Sequence, residues 1–204
     1  LLTLTALAIF VSTALPLSHA SAGPHFVNDV PNADLWRRVY AQMPEAWKTD
    51  RLILVRQLTE SQMDRLIDDI GGNDNQHGDT VVDGCYQSGG AADEAFGTIS
   101  LRETLHGELA AFVFAHEYGH YVWDDLLTEE QRSSYTHLWK VQKRAKHLVT
   151  GYAGDSVDEG FAEAFAHFLR KPALLRKRDP RSAAFLTNLL TLSKQAQPTP
   201  AARP

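Results

Sequence analysis

The chain of 204 residues holds a single cysteine, Cys85, so no intrachain disulfide is available to staple it. Stability must come from a hydrophobic core, helped by a metal ion if one binds. Excess positive charge is absent as well. Twenty Lys and Arg face 25 Asp and Glu, a formal net charge of -5, and that balance offers no basic footprint for nucleic acid. The one basic stretch, Arg170 to Arg181, reads as a solvated helix end and turn. No internal repeat is present. Long apolar runs are missing beyond Leu1 to Leu17, which carries no charge and is broken by Pro16. That run is shorter than the roughly 20 residues a membrane span needs. Ser18-His19-Ala20 follows it with small residues where a signal peptidase reads. Residues 1–20 are therefore read as a signal peptide, with an uncleaved anchor as the alternative. The mature chain is expected to be secreted or periplasmic, with no membrane attachment after cleavage.

What remains is ordinary globular material, with 44% hydrophobic and 22% charged residues, and residues 21–196 are of a length that suits one domain. Asp34 to Trp47 has helical spacing through Leu35, Val39 and Met43, and Leu52-Ile53-Leu54-Val55 suits a buried strand. Thr59-Glu60-Ser61-Gln62 has the form of a capping box, predicting a helix through Ile70 that Gly71-Gly72 ends. Residues 73–97 are rich in Gly, Asp and Asn around one predicted strand, Thr80 to Tyr86. Thr98 to Arg102 alternates and predicts another. From about Leu105 onward the period is helical. Helices are expected over His106 to Leu127, Thr128 to His147, Ser156 to Arg170 and Pro180 to about Lys194, with a disordered tail from residue 197. Strands first and helices later predict an α+β domain: a small N-terminal mixed sheet and a mainly helical C-terminal half.

The chemistry concentrates in His116-Glu117-Tyr118-Gly119-His120. Histidines four apart on a helix lie one above the other on a single face, so both rings reach one tetrahedral Zn2+. Glu117, about 100° round the helix from His116, sits beside such a metal as a base rather than a ligand. The residues leading into the motif, Leu109 to Ala115, are apolar nearly all round, so the helix should be buried. A buried helix must compensate two imidazoles and a carboxylate, which a metal does directly. Gly119 inside this helix costs about 1 kcal/mol relative to Ala, pointing to another element passing close by. A closed site needs a third ligand, and 39 positions after His120 stands Glu159, which is either that ligand or an exposed first-turn carboxylate favoured by the helix dipole. Glu159 and Glu163 share a helical face among Phe161, Phe165 and Phe168, where buried carboxylates need a cation. Glu159 would bind the metal and Glu163 would hold a ligand histidine from behind. Tyr152 lies seven residues before Glu159. On residue chemistry it is either an oxyanion donor or an aromatic packed in a loop. Cys85, likewise, is either a small buried residue or a thiolate that plugs the metal site in a latent form.

The joint spacing of His116-Glu117-x-x-His120, Tyr152 and Glu159-x-x-x-Glu163 resembles the zinc metallopeptidases of the anthrax lethal factor type, including the bacterial Pro-Pro endopeptidases. The likeness covers residues 95 to 170, under half the chain. It implies a zincin-like fold with one catalytic zinc on His116, His120 and Glu159, Glu117 as general base and Tyr152 as oxyanion donor. It also implies Asp124 as a further acidic support. By the same resemblance the strand through Thr98, Ile99, Ser100 and Leu101 is the edge strand on which an extended peptide or protein substrate is laid. The expected activity is zinc-dependent endopeptidase action by a monomer. The rivals are a zinc hydrolase restricted to small peptides and an exported zinc-binding protein without proteolysis. Glu117 argues against the last, since a purely structural site has no use for a base.

Overall fold

The computed structural model of the protein describes residues 24–26, 31–49, 51–70, 82–89 and 97–196. The predicted signal peptide and the tail after residue 196 lie outside them. Four strands are described: β1 (Pro24–Phe26), β2 (Ile53–Leu58), β3 (Gly84–Ser88) and β4 (Gly97–Arg102). They form one mixed sheet in the order β1-β2-β4-β3. β2 runs parallel to both β1 and β4, with Ile53 opposite Gly97 and Leu58 opposite Arg102. β3 is antiparallel to β4, with Gly84 opposite Leu101 and Ser88 opposite Gly97.

This order corrects one expectation. Gly97–Arg102 is an interior strand, hydrogen-bonded to β2 on one side and β3 on the other. The backbone groups of Thr98, Ile99, Ser100 and Leu101 are committed to the ladder on both sides, so they cannot receive a peptide. Among the described strands, the edge nearest the motif helix is β3. Its bounds also differ from the Thr80 to Tyr86 prediction; residues 80 and 81 lie outside the described set. Burial agrees with the order: β4 is buried along most of its length, whereas β3 is only half-buried.

Helices supply the rest. α1 (Ala33–Ala41) buries Ala33, Trp36 and Val39, and the Trp36 indole N–H donates to the Ala110 carbonyl at 3.1 Å. The predicted continuation to Trp47 fails because Pro44 lacks a backbone N–H and biases its predecessor away from helix. A separate 3-10 turn, Glu45–Trp47, follows instead. α2 (Glu60–Asp69) opens on the capping box of Thr59 and Gln62. Its Asp64 meets Arg102 of β4 at 2.8 Å. α3 (Gly107–Tyr121) runs into a π-helical turn, Val122–Leu126, closed by the Leu127 N–H on the Val122 carbonyl at 3.0 Å. α4 (Glu129–Ala145) starts on a second capping box, Thr128 with Gln131. α5 (Val157–Arg170), α6 (Pro172–Arg178) and α7 (Pro180–Ala196) complete the chain. The basic stretch thus spans three elements, with Arg170 ending α5, a short helix α6 in the middle and Arg181 in the first turn of α7. Arg176, Lys177 and Arg178 fill the last turn of α6, where the helix dipole favours them.

The protein is α+β, and its core lies where α3 and α5 cross. Tyr118, Phe161 and Phe165 are fully buried there, with Trp47 packed on Phe165 at a ring separation of 4.9 Å. Gly119 is explained by the same crossing. A Cβ added to it would lie 2.9 Å from the Ala162 Cα, so a side chain would force the two helix backbones apart. No helix among the described residues is long and apolar enough to cross a membrane.

Candidate metal centre

The close approach of α3 and α5 brings two local patterns together. One is the pair of histidines a turn apart on α3. The other is Glu159 in the first turn of α5, whose backbone N–H is held by the Ser156 side chain at 3.2 Å. Three donor atoms then converge. His116 Nε2 lies 3.0 Å from Glu159 Oε2 and 3.2 Å from His120 Nε2, and His120 Nε2 lies 3.5 Å from Glu159 Oε2. Ligands about 2.0–2.1 Å from a tetrahedral zinc stand about 3.3 Å from one another. The observed triangle has that size, so the residues present fit a metal ion. Among the described residues, these three form the one His/Cys/Asp/Glu group tight enough to hold one.

The electrostatics are those of a site that wants a cation. Burial opposes charge on His116, which is 7% exposed, but hydrogen bonding to Glu159 and Glu163 outweighs it and holds the imidazole up at about 10. His120 is raised for the same reasons, burial again opposing the Glu159 contact. Burial would lift the Glu159 carboxyl, yet the two histidines keep it well below the ordinary carboxylate range. A carboxylate that stays ionised while half-buried is a ready ligand for a divalent ion.

Glu117 behaves differently. It is 5% exposed, and burial pushes its carboxyl up against the lowering influence of His116 and His120. Burial there disfavours the carboxylate form relative to an exposed glutamate. The wall beside Glu117 is β3. A Cβ on Gly84 would stand 2.6 Å from Glu117 Oε1, and the Tyr86 backbone offers the carboxylate a hydrogen bond. Tyr86 itself packs on Tyr121 and donates its hydroxyl to Asp125 in the π turn. Cys85, between them, is not one of the converging donors. Burial, then the charge of Glu117, pushes its thiol up to about 12, so it stays protonated at neutral pH.

The outlying candidates fall in different places. Glu163, 7% exposed, turns Oε1 toward His116 Nδ1 at 3.5 Å and so backs the ligand ring. Tyr152 is in a 3-10 turn, Tyr152–Gly154, at the rim, 38% exposed, its ring 5.8 Å from that of His116. Burial and the Glu159 charge hold its phenol above the usual range, and it hydrogen-bonds Glu159. Asp124 is exposed on the π turn. Burial lifts its carboxyl while His120 lowers it, but no described hydrogen bond joins the two. Gly84, Tyr86 and Thr150 are brought to the site without any sequence pattern announcing them. The one usable hint was that a Gly-Cys-Tyr stretch reads as a strand with a missing side chain. No family model, curated protein or solved structure matches the chain.

Proposed function

We propose that the protein is a zinc-dependent metallopeptidase that cleaves extended peptide or protein substrates. The observation that carries this reading is the triangle of His116 Nε2, His120 Nε2 and Glu159 Oε2 at 3.0 to 3.5 Å, with a buried carboxyl, Glu117, beside it. A structural metal site gains nothing from that fourth group. When bound, zinc supplies Lewis acidity, polarising a carbonyl and acidifying the attacking water.

The chain's own residues have distinct parts. Glu117 takes the proton of the attacking water and returns it to the leaving amine, a role its raised pKa suits. Tyr152, which keeps its phenolic proton, donates a hydrogen bond to the oxygen that gains charge. Glu163 holds His116 so that Nε2 faces inward. The outer side of β3, rather than β4, receives the substrate backbone by strand addition. Main-chain pairing of that kind aligns a peptide without choosing its sequence. The reading of residues 1–20 as an export signal puts the enzyme in the periplasm or the medium.

Glu117→Ala tests the assignment: zinc content, measured by elemental analysis of the purified protein, should stay at one ion. Peptide hydrolysis should fall by about 10²–10⁴-fold. Undiminished hydrolysis in that variant overturns the catalytic reading.

A further inference from the structure

Thr150 belongs to none of the sequence patterns, yet its hydroxyl joins two parts of the site. The Oγ1 hydrogen donates to Glu163 Oε2 at 2.9 Å, and Oγ1 accepts from the Ala153 N–H at 3.1 Å. One contact leads to the metal side, because Glu163 directs its other oxygen, Oε1, at His116 Nδ1. The other leads to the rim, because Ala153 is the middle residue of the turn that carries Tyr152.

Neighbours cannot substitute for either contact. His167 Nδ1 is 3.5 Å from Glu163 Oε2, but its hydrogen bond goes to the Glu163 carbonyl at 2.9 Å. On the rim, the Ala153 carbonyl accepts from the Trp139 indole N–H at 2.8 Å. Gly160 leaves the space for that indole, since a Cβ there would lie 2.5 Å from its Nε1. The turn is therefore clamped at its carbonyl by Trp139 and at its N–H by Thr150.

We propose that Thr150 is a positioning residue that sets the ligand ring of His116 through Glu163 and the reach of Tyr152 through the turn. With Oε2 occupied by the threonine, Glu163 keeps the rotamer that points Oε1 at His116 Nδ1. The Nδ1–H then donates to it, which leaves the Nε2 lone pair facing His120 and Glu159. The first half rests on the metal reading and the second on the peptidase reading, so the test has two arms.

Thr150→Val preserves shape and deletes both hydrogen bonds, while Thr150→Ser preserves the hydroxyl. Zinc affinity, measured by competition with a chromophoric chelator, should fall about 10–100-fold in the valine variant and return to the wild-type range in the serine variant. Turnover of the zinc-loaded protein should fall with little change in KM. In a Glu163→Gln background, Thr150→Val should weaken zinc no further but still lower kcat, because the turn loses its clamp. Thr150→Ala gives the same zinc comparison should the valine variant prove unstable in thermal unfolding. Wild-type zinc affinity in both the valine and alanine variants overturns the proposal. So does a serine variant as impaired as the valine one, which would assign the effect to the methyl group. A wild-type chain that binds zinc but cleaves no peptide removes the peptidase reading and leaves Thr150 to be judged by zinc affinity.

Discussion

The two walls of the site differ in how they are held. The α3–α5 wall is built backbone against backbone: Gly119 admits Ala162, and Tyr118, Phe161 and Phe165 are fully buried around the contact. The helix backbones that carry its three donors are held against each other by that contact. The β3 wall is half-buried, and it meets Glu117 through the space Gly84 leaves and the Tyr86 backbone. Rigid packing suits a metal site, whose ligands must not relax when the ion leaves. A looser edge suits a surface that must accept a substrate strand and let it go.

The largest blow to the helical wall removes a donor. Glu159→Ala should weaken zinc by more than the ~100-fold that loss of an outer partner costs, read by chelator competition. Unchanged affinity would pass the ligand role to Glu163. The same wall makes metal binding depend on pH, and the sign is fixed. His116 of the metal-free protein titrates at about 10, above its ordinary value of 6.5, because Glu159 and Glu163 outweigh burial. Its protonated form therefore contributes stability that is complete below 6.5 and is lost as pH rises through about 10. The metal needs the neutral ring, so its apparent affinity should climb with pH by up to about tenfold per unit for each proton displaced. The gap in Tm between zinc-loaded and zinc-free protein should widen from pH 6 toward pH 10 (roughly the span of that titration). A gap that narrows would contradict the assignment.

Two glycines then sharpen the comparison. Gly119→Ala meets backbone, so overpacking should cost about 1–3 kcal/mol, more than the ~1 kcal/mol that alanine gains in helix propensity. Urea unfolding measures it, and a stabilised variant would mean the helices part easily. Gly84→Ala meets the Glu117 side chain from Cγ outward rather than a backbone atom. It should leave zinc content unchanged and Tm nearly so, while turnover falls about tenfold because Glu117, the proposed base, is pushed off its position. A large loss of stability with normal turnover would reverse the picture of the two walls.

Much of the helical half was legible from local signals. The capping boxes at Thr59-Gln62 and Thr128-Gln131 start helices where expected. Gly119 announced a close neighbour, the spacing of His116 and His120 predicted one shared face, and the apolar surroundings of Glu159 marked it as a third donor. The sheet half was legible only in part. Thr98 to Arg102 was recognisable as a strand, but its alternation carries no information on what pairs beside it, and among the described strands β3 lies outside it. The break at Pro44 and the short helix from Pro172 were hidden by surrounding helical periodicity.

The sequence by itself set the pairing of His116 with His120 and the place of Glu117 beside them, because the pitch of one helix fixes those relations; the α3–α5 crossing brought Glu159 to them. Tertiary structure decided the rest: that among the described strands β3 lies outside β4, that Gly84 makes room for Glu117, and that Thr150 bridges Glu163 and the Tyr152 turn. Those are contacts between segments whose separation along the chain follows no period. Strand order and side-chain bridges of this kind depend on how the whole core packs, and no local pattern encodes them.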